Sequence, residues 1–157
     1  VLGIDPGTTR IGYGLIKKHG NSYLPVAYGL IEPSNKLTSG EQLQEIHINL
    51  KGIIEKFKPD IISIEDIFYF KNKKTVIKVA QARGVILLTS KLMNIKIIEP
   101  TPLQVKQGIT GYGRADKNQV SFMVTRLLGL KETPKPDDIT DALAIAITGA
   151  NFALNQI

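Results

Sequence analysis

VLGIDPGTTRIGYGLI (residues 1–16) opens the chain. Val1, Leu2 and Ile4 read as a short buried strand that Asp5 stops, with Pro6 and Gly7 directly behind it. A carboxylate at the edge of an apolar core is costly unless a donor or a metal ion partners it. Asp-Pro-Gly is also good turn chemistry, because Asp bonds its own backbone and Gly accepts unusual torsions. Both readings fit this stretch, and what else the fold brings to Asp5 decides between them.

Outward from there, residues 10–17 and 23–31 read as two more strands joined around KKHGN (17–21), a glycine-asparagine turn that suits an antiparallel hairpin. Leu43, Ile46, Leu50, Ile53, Ile54 and Phe57 then recur at helical spacing, with Ser39 and Gln42 as the expected capping box and Pro59 as the stop. DIISIE (60–65) is short, continuous and β-branched, the pattern of a buried parallel strand. A long helix is expected over 74–93 and a strand in IKIIEP (95–100). Helices over 102–107 and 116–128 flank GITGYGR (108–114), and a last helix runs from about 138 to 152. A meander followed by alternating helices and strands predicts an α/β fold: a mixed five-stranded sheet with helices on both faces. Ligands in such folds gather beyond the carboxyl ends of the central strands. Asp5 and Glu65 both end strands there.

Composition narrows the class. The chain has 157 residues, enough for one domain over 1–157, and its 43% hydrophobic and 22% charged content is that of a globular protein. A formal charge of +6 and a pI near 9.5 favour a polyanionic partner such as nucleic acid. Cysteine is absent, which excludes a disulfide framework and thiolate metal sites and is compatible with a reducing cytoplasm. The longest apolar runs, such as residues 142–147, are too short to cross a bilayer. No signal sequence is expected, and the missing initiator Met points to a residue or two trimmed.

The last helix begins with PDDITDALAIAI (136–147), where Asp138 and Asp141 share a face. The helix macrodipole explains Asp137 and Asp138 but not Asp141, which stands a turn further in beside Ala142, Ala144 and Ala146. Small residues there predict close packing that carries Asp141 toward the body of the protein. Helical geometry alone leaves both Asp137 and Asp138 open as its companion. Converging carboxylates without cysteine or clustered histidine suit hard cations, Mg²⁺ or Mn²⁺. In a basic protein such a site points to phosphodiester chemistry with two ions.

GIDPGTTRIGYGLI, SIEDIFYFKN, VAQARGVIL, PLQVKQGITGYGRADKNQV and DDITDALAIAIT, in this order and spacing, closely resemble the RuvC family of bacterial Holliday junction resolvases. The resemblance runs from Val1 to about Thr148. It implies an RNase H-like fold, a cytoplasmic homodimer and Mg²⁺-dependent paired nicking of four-way DNA junctions in recombination and repair. Two ions per active site are implied, with Mn²⁺ as an alternative, and the helicase complex of RuvA and RuvB as partner. The family's acidic tetrad falls on Asp5, Glu65, Asp138 and Asp141, its D-x-x-D spacing selecting Asp138. Asp66 stands where family members often carry Gln, and strand alternation turns it away from Glu65. Phe68 matches the family aromatic that inserts at the junction centre. Lys106 and Lys117 match basic residues near the scissile phosphate, with catalytic roles.

Tyr69, Lys71, Arg83 and Arg114 are further candidate DNA contacts. FYFKNKK (68–74) combines stacking surfaces with cations, and Arg114 precedes a helix start whose free N–H groups suit a phosphate. Phe70 is expected to close the core. GITGYG follows a helix rather than a strand, which argues against a nucleotide-binding loop. His19 and His47 show no partner. Val76, Val79, Ala80, Val85, Leu87 and Leu88 make the 74–93 helix apolar around more of its circumference than one stripe needs, so it is the expected dimer interface. Two rival readings share the opening strand: the phosphate loop of actin-like ATPases, and the RuvC-like nucleases of ribosomal RNA precursors. The first needs a second phosphate loop that is missing here, and the second lacks the FYFKN and QVKQGITGYG segments in this form.

Overall fold

Gly3 explains how the sheet and its covering helix fit together. The structure, a computed structural model, describes residues 1–66 and 73–154. Its strands are β1 (Leu2–Asp5), β2 (Ile11–His19), β3 (Ser22–Ile31), β4 (Ile61–Ile64) and β5 (Lys96–Ile98). Its helices are α1 (Ser39–Phe57), α2 (Lys73–Leu92), α3 (Pro102–Thr110), α4 (Lys117–Leu127) and α5 (Asp137–Leu154). The sheet order is β3-β2-β1-β4-β5, antiparallel in the meander and parallel from β1 to β5. This mixed sheet with helices on both faces is the RNase H-like arrangement. None of the described helices is long and apolar enough to cross a membrane.

Alternation along β1 and β4 assigns the two faces. Leu2, Ile4, Ile62 and Ile64 are fully buried on one face, in a core shared with Ile46 and Leu50 of α1 and Ala82 and Ile86 of α2. The opposite face carries the small residues, and α5 lies directly on it. A Cβ on Gly3 would stand 2.1 Å from the Ala142 carbonyl oxygen, and one on Gly12 would stand 1.9 Å from that of Asp138. Ser63 meets Gly149 in the same way, and its Oγ is buried with no hydrogen-bond partner among the described residues. Ala144, Ala146 and Ala150 of α5 complete that core with Val105 and Ile109 of α3 and Val120 and Val124 of α4. The close packing predicted for the alanine-rich helix is therefore present, and its partner is glycine in the sheet.

The structure differs from expectation at two helix boundaries and at one histidine. The capping box of α1 is Thr38 with Glu41, one residue earlier than expected. Both registers satisfy the pattern, and a carboxylate accepts the cap N–H better than an amide does. Helix α3 runs on through Thr110, because Gly111 supplies the left-handed cap (φ 73°) beyond GIT rather than within it. His47 has a partner after all: its Nδ1 lies 2.8 Å from Thr89 Oγ1 and ties α1 to α2.

The glycines divide into two classes with opposite expected outcomes. Gly3→Ala and Gly12→Ala push α5 off the sheet and destabilise the protein by about 1–3 kcal/mol or more. Gly52→Ala, in an exposed turn of α1 where an added Cβ meets nothing within 4 Å, stabilises by about 0.5–1 kcal/mol. Guanidinium unfolding midpoints check both signs.

Candidate active site

Parallel pairing of β1 with β4 brings Asp5, the last residue of β1, and Glu65, the first after β4, to one sheet edge. Alternation points both toward α5, on the face of Gly3 and Ser63. The docking of α5 on Gly12 sets its first two turns, with Asp138 and Asp141, beside them. Asp5, Glu65 and Asp141 line a cavity of about 310 Å³ together with Lys106 of α3 and Lys117 of α4.

The electrostatics follow from that convergence. Burial pushes Asp5 up to about 7, reinforced by repulsion from Asp141, Glu65 and Asp138 and opposed by Lys117. Burial likewise raises Glu65 to about 7, with Asp141 adding and Lys106 opposing. Asp141 is raised by burial too, against the pull of Lys117, whose Nζ lies 3.0 Å from Asp141 Oδ2 and 3.5 Å from Asp137 Oδ2. Burial acts to lower Lys117, but its bonds to Asp141 and Asp137 prevail and hold it above the usual lysine range. Asp138 is turned to Arg10, whose Nε donates to Asp138 Oδ2 at 2.7 Å.

Asp138 and its neighbour Asp137, between which helical geometry alone did not choose, stand in different surroundings. The Asp137 side chain is half-exposed and ion-paired to Lys135 at 2.9 Å, chiefly through which its carboxyl is held below the usual range. Both repel Asp141, but Asp138 alone of the two is close enough to repel Asp5. Asp66 points away from Glu65 as expected and pairs with Arg83 at 3.1 Å.

Arg83 departs from the expected DNA contact. Its side chain is only 14% exposed, and it bonds the Glu65 carbonyl, Asp66 and Glu99. It therefore braces the segment that presents Glu65, because three acceptors compete for its guanidinium. Arg114 is exposed, and at the helix start after it the Asp116–Gln119 capping box takes the backbone N–H groups of those two residues. Phe68, Tyr69, Phe70 and Lys71 lie outside the described residues. Arg10 was missed: it is a basic residue five after the strand-ending acid, and that spacing was the available signal.

A metal fits this donor set. The carboxylates are all-oxygen ligands whose mutual repulsion a divalent cation would relieve. Among the described residues no three acidic or histidine side chains yet converge as a ready-made metal cage. Arg10 and Lys117 hold Asp138 and Asp141 instead.

The family profile described as Crossover junction endodeoxyribonuclease RuvC matches residues 1–149. The chain belongs to the RuvC family. It is 55% identical over 151 residues to the Crossover junction endodeoxyribonuclease RuvC of Fusobacterium nucleatum, covering 96% of this chain and 80% of that one. It is 52% identical to that of Halothermothrix orenii, covering 99% and 95%. Among solved structures, Thermus thermophilus RuvC in complex with Holliday junction substrate superposes with a TM-score of 0.93 at 32% identity, covering 99% of this chain and 94% of that one. The yeast mitochondrial Holliday junction resolvase Ydc2, at 14% identity and a TM-score of 0.69, shares the fold. RuvC-family nucleases are metal-dependent, which agrees with the chemistry of this acid set.

The raised carboxyls have a consequence for folding. Between about pH 4 and 7 the folded protein keeps protons on Asp5 and Glu65 that the unfolded chain has released. Stability of the metal-free protein therefore falls as pH rises through that window. At pH 8 without divalent cations, Asp5→Asn and Glu65→Gln each stabilise by about 1–3 kcal/mol, whereas at pH 4 they match wild type. Added Mg²⁺ raises the wild-type unfolding midpoint and leaves those of the variants nearly unmoved.

Proposed function

We propose that this chain is a Mg²⁺-dependent endonuclease that resolves Holliday junctions by paired symmetric nicks in homologous recombination and DNA repair. The observation that carries this reading is the placing of Asp5, Glu65 and Asp141 around one cavity at the sheet edge, with Lys106 and Lys117 lining it too and Asp138 near enough to repel Asp5. The tetrad holds two Mg²⁺ ions, with Mn²⁺ able to replace them. Bound there, the ions supply Lewis-acid stabilisation of the attacking and leaving oxygens of a phosphodiester. Lys106 and Lys117 bind the scissile phosphate, and Lys117 exchanges its bond to Asp141 for the phosphate as DNA enters. Phe68, with Tyr69 and Lys71 beside it, contacts the junction centre. The rival readings, an actin-like ATP site and a nuclease of ribosomal RNA precursors, gain no support from a RuvC match over residues 1–149.

Resolution needs two nicks, and a two-fold homodimer of this single domain supplies two sites. Helix α2 supports that assembly, though not in the pattern expected. Val79, Ala82 and Ile86 are buried in the core, and Val85 and Leu87 pack against it. Ile77, Leu88 and Leu92 stand 60–65% exposed, with the exposed Gly84 among them, on an outward stripe. An exposed apolar stripe on an otherwise packed helix suits a second copy. The chain acts in the cytoplasm, where RuvA and RuvB deliver the junction.

Asp5→Asn, Glu65→Gln, Asp138→Asn and Asp141→Asn each lower single-turnover cleavage of a synthetic four-way junction by about a hundredfold or more and keep junction binding. Asp137→Asn and Asp66→Asn remain active. A variant of the tetrad that cleaves at near wild-type rate is not a metal ligand. Leu88→Glu sediments as a monomer and nicks without resolving; a fully dimeric Leu88→Glu protein would place the interface elsewhere.

A further inference from the structure

Arg10 belongs to two places at once. Its Nε donates to Asp138 Oδ2, and the pair is open to solvent, with the two side chains 44% and 22% exposed. Ion pairs of that exposure contribute little, so either partner exchanges readily. Arg10 also lines a second cavity, of about 410 Å³, between the Gly7–Ile11 turn, the start of α1 and α2. Lys78, Gln81, Thr8, Thr9 and Asn35 line it too. Its charged lining is two cations, Arg10 and Lys78, against one acid, Glu32. The rest is divided between hydroxyl and amide side chains at the rim and an apolar floor that includes Ile11, Leu43 and Ile46. The two cations and the hydroxyl and amide donors suit a phosphodiester, which offers one negative charge and several acceptors, and a single acid does not suit a metal cation.

The two cavities flank one turn. The turn that lines the second cavity follows Asp5 directly, and a Cβ on Gly7 would lie 3.9 Å from Asp138 Oδ1. The second cavity therefore adjoins the acids across that turn. Asp138 and a DNA phosphate compete for the same guanidinium, and Arg10 and a divalent cation compete for the same carboxylate.

We propose that Arg10 is a transferable counter-ion. It holds Asp138 in the metal-free protein and passes to a backbone phosphate of the DNA, seated beside Lys78 in the second cavity, when a divalent cation takes the carboxylate. This inference rests on the nuclease reading and adds a regulation to it: metal and DNA binding become coupled, each releasing the group the other needs, and by linkage the coupling is reciprocal.

Two measurements on the whole protein test it. Calorimetric titration of the DNA-free protein with Mn²⁺ reads the first exchange: Arg10→Gln binds the ion about two- to fivefold more tightly than wild type, because the competing cation is gone. Equilibrium binding of a synthetic four-way junction in Ca²⁺ and in EDTA, across a salt series, reads the second. In Ca²⁺ the salt slope of Arg10→Gln is lower than wild type by about one, and in EDTA the two coincide. Arg10→Lys restores the Ca²⁺ slope. Lys78→Gln lowers the slope in both conditions and leaves Mn²⁺ affinity unchanged. Unchanged Mn²⁺ affinity in Arg10→Gln, or an equal slope in Ca²⁺, overturns the exchange, and an unchanged slope in Lys78→Gln overturns the cavity as the phosphate's seat. A wild-type protein with no preference for junction over linear duplex would count against the nuclease reading instead, and the DNA-free titration would still decide the exchange between Arg10 and Asp138.

Discussion

Backbone-to-backbone contact between α5 and the sheet is the constraint on which the rest of the structure depends. Over Gly3 and Gly12 there is no room for a side chain at all, since a Cβ there would overlap the carbonyl oxygens of Ala142 and Asp138. Contact this close fixes both the depth and the rotation of the helix, because sliding it by a residue would bring a side chain over a glycine. The rotation is what matters chemically. With Ala142 on Gly3 and Asp138 on Gly12, Asp141 faces the ends of β1 and β4, and the two strand-ending acids meet two helix-borne acids.

The gathering of carboxylates works against the fold that creates it. Burial and mutual repulsion raise Asp5, Glu65 and Asp141 together, so the metal-free site is a source of instability near neutral pH. Basic side chains moderate it: Lys106 and Lys117 line the cavity, and Arg10 pairs with Asp138. Each is a cation that a phosphate can draw away. The same residues that make the acids tolerable without metal are thus poised to meet DNA, and strain held at the site is released by the ligands it serves. Arg83 has the complementary, static part. Held by Asp66, Glu99 and the Glu65 carbonyl, it anchors the end of β4.

Much of this was legible in residue order. Period-two and period-3.6 patterns located every strand and helix among the described residues, because each element buries one face or stripe. The acids at positions 5 and 65 were readable as strand ends, and the alanine run after Asp141 as a closely packed helix. Errors fell where two local solutions were nearly equal. Thr38 and Ser39 both begin an acceptable capping box, and Gly108 and Gly111 both offer a place for α3 to stop. Helix α2 shows a different limit: its apolar residues were visible, but whether Val79 or Leu88 faces inward is a matter of rotation, which pattern alone leaves open over so apolar a helix.

The sequence by itself determined the inventory: a mixed α/β sheet, acids at strand ends and a helix start, hard-cation chemistry, a basic chain, and family motifs in register. Tertiary structure decided the partnerships. It separated Asp138 from Asp137 by giving one to Arg10 at the sheet edge and the other to Lys135 in solvent. It withdrew Arg83 into an ion-pair network and brought Arg10, 128 residues distant in the chain, onto Asp138. The physical reason is range. Hydrophobic periodicity and capping act over a few residues and are written in local order, whereas an ion pair or a helix rotation depends on which backbones approach each other. Here that approach is set by glycines whose lack of a side chain acquires meaning only once α5 lies on top of them.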